Sequence, residues 1–89
     1  MTDHEIFTAA IRANGETYQE NIAIEECSEL IQALCHKHRG RPNNVAEEIA
    51  DVEICLEQLK IINNCSDEVK RIHRQKVERL YAQVYDEIL

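Results

Sequence analysis

Residues 24–34 read Ile-Glu-Glu-Cys-Ser-Glu-Leu-Ile-Gln-Ala-Leu, so that Glu25, Glu26 and Glu29 crowd beside apolar neighbours. The stretch has no Gly or Pro, and its apolar residues recur at spacings of three and four, the signature of an amphipathic helix. Carboxylates placed this way repel one another and resist burial. Either this side of the helix stays in water or something positive holds the charges together.

Outward from this stretch the periodicity predicts a helix from about Thr17 to about His38, with Ile24, Cys27, Ile31, Leu34, Cys35 and His38 as its apolar stripe. Gly40, Pro42 and the pair Asn43-Asn44 break it. A third helix follows, capped by Asn43 or Asn44, with Val45, Ile49, Val52, Leu56 and Leu59 on one stripe up to Asn63-Asn64. Ser66, with Asp67 and Glu68 in the first turn, caps a fourth, whose stripe runs through Val69, Ile72 or His73, Val77, Leu80, Val84 and Ile88. Ahead of them, Asp3 caps a short first helix to about Arg12, ended by Asn14-Gly15. His38 and His73, both on apolar stripes, read as packing or hydrogen-bonding residues. The expectation is an all-α antiparallel helical bundle of about four helices, forming a single domain over residues 1–89.

A chain of 89 residues buries a modest core, which favours assembly as an oligomer. Ten Lys and Arg against 17 Asp and Glu give a net charge of −7, which repels nucleic acid and anionic membrane and favours a cationic partner. No apolar run approaches the ~20 residues that span a bilayer. Residues 1–12 carry acids and lack a signal-peptide core. The four cysteines, Cys27, Cys35, Cys55 and Cys65, form no C-x-x-C pair and read as reduced, core-filling thiols. A cytoplasmic location is expected.

Glu26 and Glu29 stand three apart on the second helix, and Glu48 and Asp51 three apart on the third, so each pair projects from one helical face. Both pairs flank the expected seam between the helices, and four carboxylates then converge on one groove. Hard oxygen ligands at this charge density suit Mg²⁺, with Mn²⁺ as a substitute. A symmetric hairpin opposes this: Glu26 lies farther from Gly40 than Glu48 does, by roughly 10 Å at the rise of an α-helix. The segment 39–44 must climb along the third helix to level the pairs.

Glu25-Glu26-Cys27-Ser28-Glu29 followed by Glu48-Ile49-Ala50-Asp51 resembles the E-E-x-x-E, spacer, E-x-x-D signature of the MazG-like all-α nucleoside triphosphate pyrophosphohydrolase superfamily. The intervening segment CHKHRGRPNNVA and the last-helix segment QKVERL resemble the corresponding basic regions, so the likeness covers about residues 17–80. It implies a Mg²⁺ site on Glu26, Glu29, Glu48 and Asp51, with Glu25 an outer member or exposed. The implied reaction is hydrolysis of a (deoxy)nucleoside triphosphate to the monophosphate and pyrophosphate, serving nucleotide-pool control, and the implied assembly is a homodimer or homotetramer. Lys37, Lys76 and Arg79, with Arg39 and Arg41, are the candidate phosphate-binding residues, and Gln19 the candidate for contacting a base. Two alternatives stand beside it: a noncatalytic acidic helical dimerisation or interaction module, and a phosphoribosyl-ATP, dUTP or dCTP specialist of the same fold.

Overall fold

The computed structural model describes residues 1–88, with side chains described through Tyr85. Among these residues the chain is four helices without a strand: α1 (Asp3–Asn14), α2 (Glu16–His38), α3 (Val45–Ile62) and α4 (Ser66–Ile88). No helix is long and apolar enough to cross a membrane.

The helix ends follow local chemistry. Thr2, one residue ahead of the expected Asp3, caps α1 by accepting the Glu5 N–H at 3.1 Å, and Asp3 and Glu5 sit in the first turn, favoured by the helix dipole. At the end of α2 the Arg41 N–H reaches back to the His36 carbonyl and the Gly40 N–H to the Lys37 carbonyl, with Gly40 at φ 68°. That paired closure needs a left-handed residue, which glycine adopts without cost. Asn64, at φ 48°, closes α3 in the same way: the Cys65 N–H bonds the Lys60 carbonyl and the Asn64 N–H bonds the Ile61 carbonyl.

The α2/α3 hairpin is the centre of the fold, and α1 packs across both of its helices. Its seam departs from the sequence expectation by one position on α2. The inward residues are Gln19, Ala23 and Ala33, with Glu26 and Leu30 half-buried between them, facing Glu48, Cys55 and Gln58, with Asp51 and Val52 half-buried. The stripe expected to face inward instead looks outward: Ile24 is 67 % and Ile31 63 % exposed, and Cys27, Leu34, Cys35 and His38 are exposed beside them. On α3, Ile49 and Leu56 are likewise exposed. Small side chains explain the choice, since Ala23 and Ala33 let the backbones approach more closely than a row of Ile and Leu allows. The carboxylates therefore lie in the seam instead of flanking it.

Of the four cysteines, all free, Cys55 fills the core and Cys65 is half-buried, whereas Cys27 and Cys35 are exposed. His38 and His73 are exposed rather than packed. The apolar core is correspondingly small, consisting of Ala23, Ala33 and Cys55 among the described residues.

The backbone of α4 approaches α3 alone. Every residue from His73 to Tyr85 is exposed, including Val77, Leu80, Tyr81, Val84 and Tyr85, so the stripe expected to be buried on this helix is covered only near Ile72. Ile88, the last position of that stripe, lies outside the described side chains. With α4 projecting, the radius of gyration is 16.4 Å, against about 12 Å for a compact chain of this length.

Candidate functional site

One buried hydrogen bond marks the register of the hairpin: Gln19 Nε2 donates to Gln58 Oε1 at 2.7 Å. Seven residues on from Gln19 is Glu26, and seven back from Gln58 is Asp51; three further on each helix come Glu29 and Glu48. Antiparallel pairing therefore levels the two acidic pairs. With Gln19 level with Gln58, α2 runs on to His38, past the level of Val45, and so takes up the offset of roughly 10 Å.

One carboxylate oxygen from each of Glu26, Glu29 and Glu48 falls within 4.8 Å of the others. Glu48 is 6 % exposed, Glu26 and Asp51 are half-buried, and Glu29 is exposed, so the cluster opens to solvent on the Glu29 side. Asn44 holds Glu48 by donating Nδ2–H to Oε1 at 2.8 Å. At the N-terminus of α3 it makes no side-chain capping bond, while Asn43 Oδ1 accepts the Val45 N–H at 3.3 Å. Oε2 of Glu26 and Oε2 of Glu48 are buried without a protein hydrogen-bonding partner. Buried carboxylate oxygens normally have one.

Burial, joined by the charges of Glu29, Asp51 and Glu48, pushes the Glu26 carboxyl up from 4.5 to about 7. Glu48 is raised first by burial and then by Glu29, against a lowering pull from its bond to Asn44. Asp51 adds charge to both, although its oxygens are not in the close group of three. Burial chiefly raises the Cys55 thiol as well, with Glu26, Cys27 and Asp51 nearby, and so keeps it neutral. Glu25 is exposed and outside the group.

Searches against protein-family models, curated proteins and solved structures find no match to the chain.

The remaining candidates are dispersed. Gln19 is 6 % exposed and committed on both sides, its Oε1 accepting from Asn14 at 3.1 Å and its Nε2 donating to Gln58. It ties α1, α2 and α3 together. Lys37 lies exposed in the last turn of α2, Arg39 and Arg41 in the connection, and Lys76 and Arg79 in the projecting part of α4. None of the five forms an ion pair among the described residues, where Lys60–Glu57 at 2.8 Å and Arg74–Glu78 at 3.5 Å are both exposed pairs within one helix. The structure also adds Asn44 and Gln58, which the sequence reading passed over. Asn44 stands one helical turn before Glu48, and Gln58 continues the seven-residue step beyond Asp51, so both could have been found by extending the acidic seam.

Like charges at this separation either share protons or accept a cation that satisfies the orphaned oxygens.

Proposed function

We propose that Glu26, Glu29, Glu48 and Asp51 form the divalent-metal centre of a nucleoside triphosphate pyrophosphohydrolase of the MazG-like all-α type. The observation that carries this reading is the close group of Glu26, Glu29 and Glu48 carboxylates, in which Glu26 and Glu48 each keep one buried, unpartnered oxygen. An all-oxygen donor set of this charge fits Mg²⁺ or Mn²⁺. When bound, such an ion supplies Lewis acidity and offsets the charge of the triphosphate.

The protein's own groups divide the remaining work. Asn44 holds Oε1 of Glu48, whose buried Oε2 has no protein partner. The Gln19–Gln58 bond holds the two helices at the height where the pairs meet. Glu29, the exposed member, faces the side from which substrate and attacking water arrive, and takes the water's proton as general base. Lys37, Lys76 and Arg79 serve as counter-charges for the phosphates of the leaving pyrophosphate.

Pyrophosphate release from a panel of standard and modified nucleoside triphosphates, with Mg²⁺ and without it, tests the reading. Turnover should require the metal and vanish in Glu48→Gln and Asp51→Asn with helical content retained. No turnover across the panel, or full activity in either variant, would sink it. A second reading, a noncatalytic helical interaction module, draws on the exposed apolar stripes of α2 and α4. It predicts no saturable Mn²⁺ binding by calorimetry, whereas the enzyme binds Mn²⁺ at least when nucleotide is present.

A further inference from the structure

Asn44 stands where α3 begins, yet its side chain does not serve that helix end. It makes no capping bond, and Asn43, one residue earlier, accepts the Val45 N–H through Oδ1 at 3.3 Å instead. An asparagine in this place ordinarily caps the helix. Here its amide reaches one helical turn forward and donates Nδ2–H to Oε1 of Glu48 at 2.8 Å. Because an ionised carboxylate only accepts hydrogen bonds, the amide nitrogen and not the amide oxygen meets Glu48.

The bond makes the two oxygens of Glu48 unequal. The residue is 6 % exposed; Oε1 is held by Asn44, whereas Oε2 is buried without a protein partner. Hard divalent cations differ in what they ask of such a group. Mg²⁺ and Mn²⁺ take an octahedral shell, and the oxygens of one carboxylate lie too close together to fill two of its corners, so each carboxylate gives one. The larger, irregular shell of Ca²⁺ holds 6–8 oxygens and accepts both from one carboxylate. With three carboxylates in the close group, Ca²⁺ draws on their second oxygens, and Asn44 withholds one of these.

We propose that Asn44 is a positioning residue that makes Glu48 a one-oxygen ligand, so that the cluster prefers Mg²⁺ or Mn²⁺ over Ca²⁺. The proposal rests on the metal-centre reading and adds a selectivity that the acids alone do not supply. Charge attracts every divalent cation alike; the neutral amide sorts them by the shell each requires. Without Asn44, Oε1 is released and Glu48 offers both oxygens to the larger ion.

Calorimetric titration of the full chain with Mn²⁺ alone and with Ca²⁺ alone reads the preference as a ratio of two dissociation constants. Wild type should bind Mn²⁺ at least about tenfold more tightly than Ca²⁺, and Asn44→Ala should cut that ratio by roughly tenfold or more, within the usual effect of losing a ligand's outer partner. Mn²⁺ binding weakens in the variant while Ca²⁺ binding holds or improves. Asn44→Asp is the second variant: it keeps the shape and can cap α3, so the fold is retained, but it has no N–H for Glu48. Its added charge acts on both divalent ions and cancels in the ratio, which should fall as it does in Asn44→Ala. Equal weakening of both ions in Asn44→Ala, with the ratio unchanged, shows Asn44 to be only a support of the helix end and overturns the proposal. So does a full preference for Mn²⁺ in Asn44→Asp, or a wild type that binds Ca²⁺ as tightly as Mn²⁺. Each of these three results leaves the metal centre itself standing, whereas a wild type that binds no Mn²⁺ with or without nucleotide removes both.

Discussion

Glu26 and Glu48 are destabilising groups in the metal-free chain: each places a carboxylate in a seam where it meets other acids and leaves one oxygen without a partner. The pH dependence follows from the raised Glu26 carboxyl, at about 7 in the fold against 4.5 unperturbed. Between these values the native state holds a proton that the unfolded chain has lost, so this group's contribution to stability is fully present below pH 4.5 and is lost as pH rises through about 7. Urea denaturation of the metal-free protein across that range should give a falling midpoint, and added Mn²⁺ should restore it above pH 7. A midpoint that rises steadily over the same interval would contradict the raised carboxyl. Neutral replacement reports the same tension. Glu48→Gln should raise the metal-free melting temperature while removing Mn²⁺ binding, and Asn44→Ala should weaken Mn²⁺ binding by roughly 10–100-fold, the usual loss when an outer partner of a ligand is removed. Glu25→Gln should change neither.

Between α2 and α3 the close approach depends on small side chains and one polar lock. Ala33, 2 % exposed, leaves no room for extra atoms, so Ala33→Leu should destabilise the fold by about 1–3 kcal/mol. Gln19→Ala leaves the Gln58 carbonyl without its donor and should cost about 1–3 kcal/mol in a urea titration. The double variant Gln19→Met/Gln58→Met removes both polar groups together and should be less destabilised than Gln19→Ala alone. If the double change proved worse than the single one, the pair would not be the lock that sets register. Because that register also levels Glu26 with Asp51, Gln19→Ala should loosen Mn²⁺ binding even though Gln19 touches no acid of the cluster.

The whole molecule is a hairpin with a cross-packed α1 and an extended fourth helix, and it exposes 7158 Å² against about 5,400 Å² for a compact chain of this mass.

The helices, their order and nearly all their ends were legible in the sequence, because Gly15, Gly40, Asn64 and the spacing of apolar residues act through local backbone chemistry. That each acidic pair shares one helix face was legible as well, since residues three apart do so wherever a helix packs; the structure brings Glu26, Glu29 and Glu48 together and leaves Asp51 outside that close group. Which face of α2 turns inward was not. Hydropathy marks Ile24, Ile31 and Leu34 as the natural core, yet the hairpin chose Ala23, Ala33 and the Gln19–Gln58 bond, and left the larger residues outside. Periodicity reports how apolar a face is; only the packed structure decides how close two backbones come, and small residues win that contest. The position of α4 is likewise tertiary, since a stripe of Val, Leu and Tyr calls for cover without specifying which chain provides it.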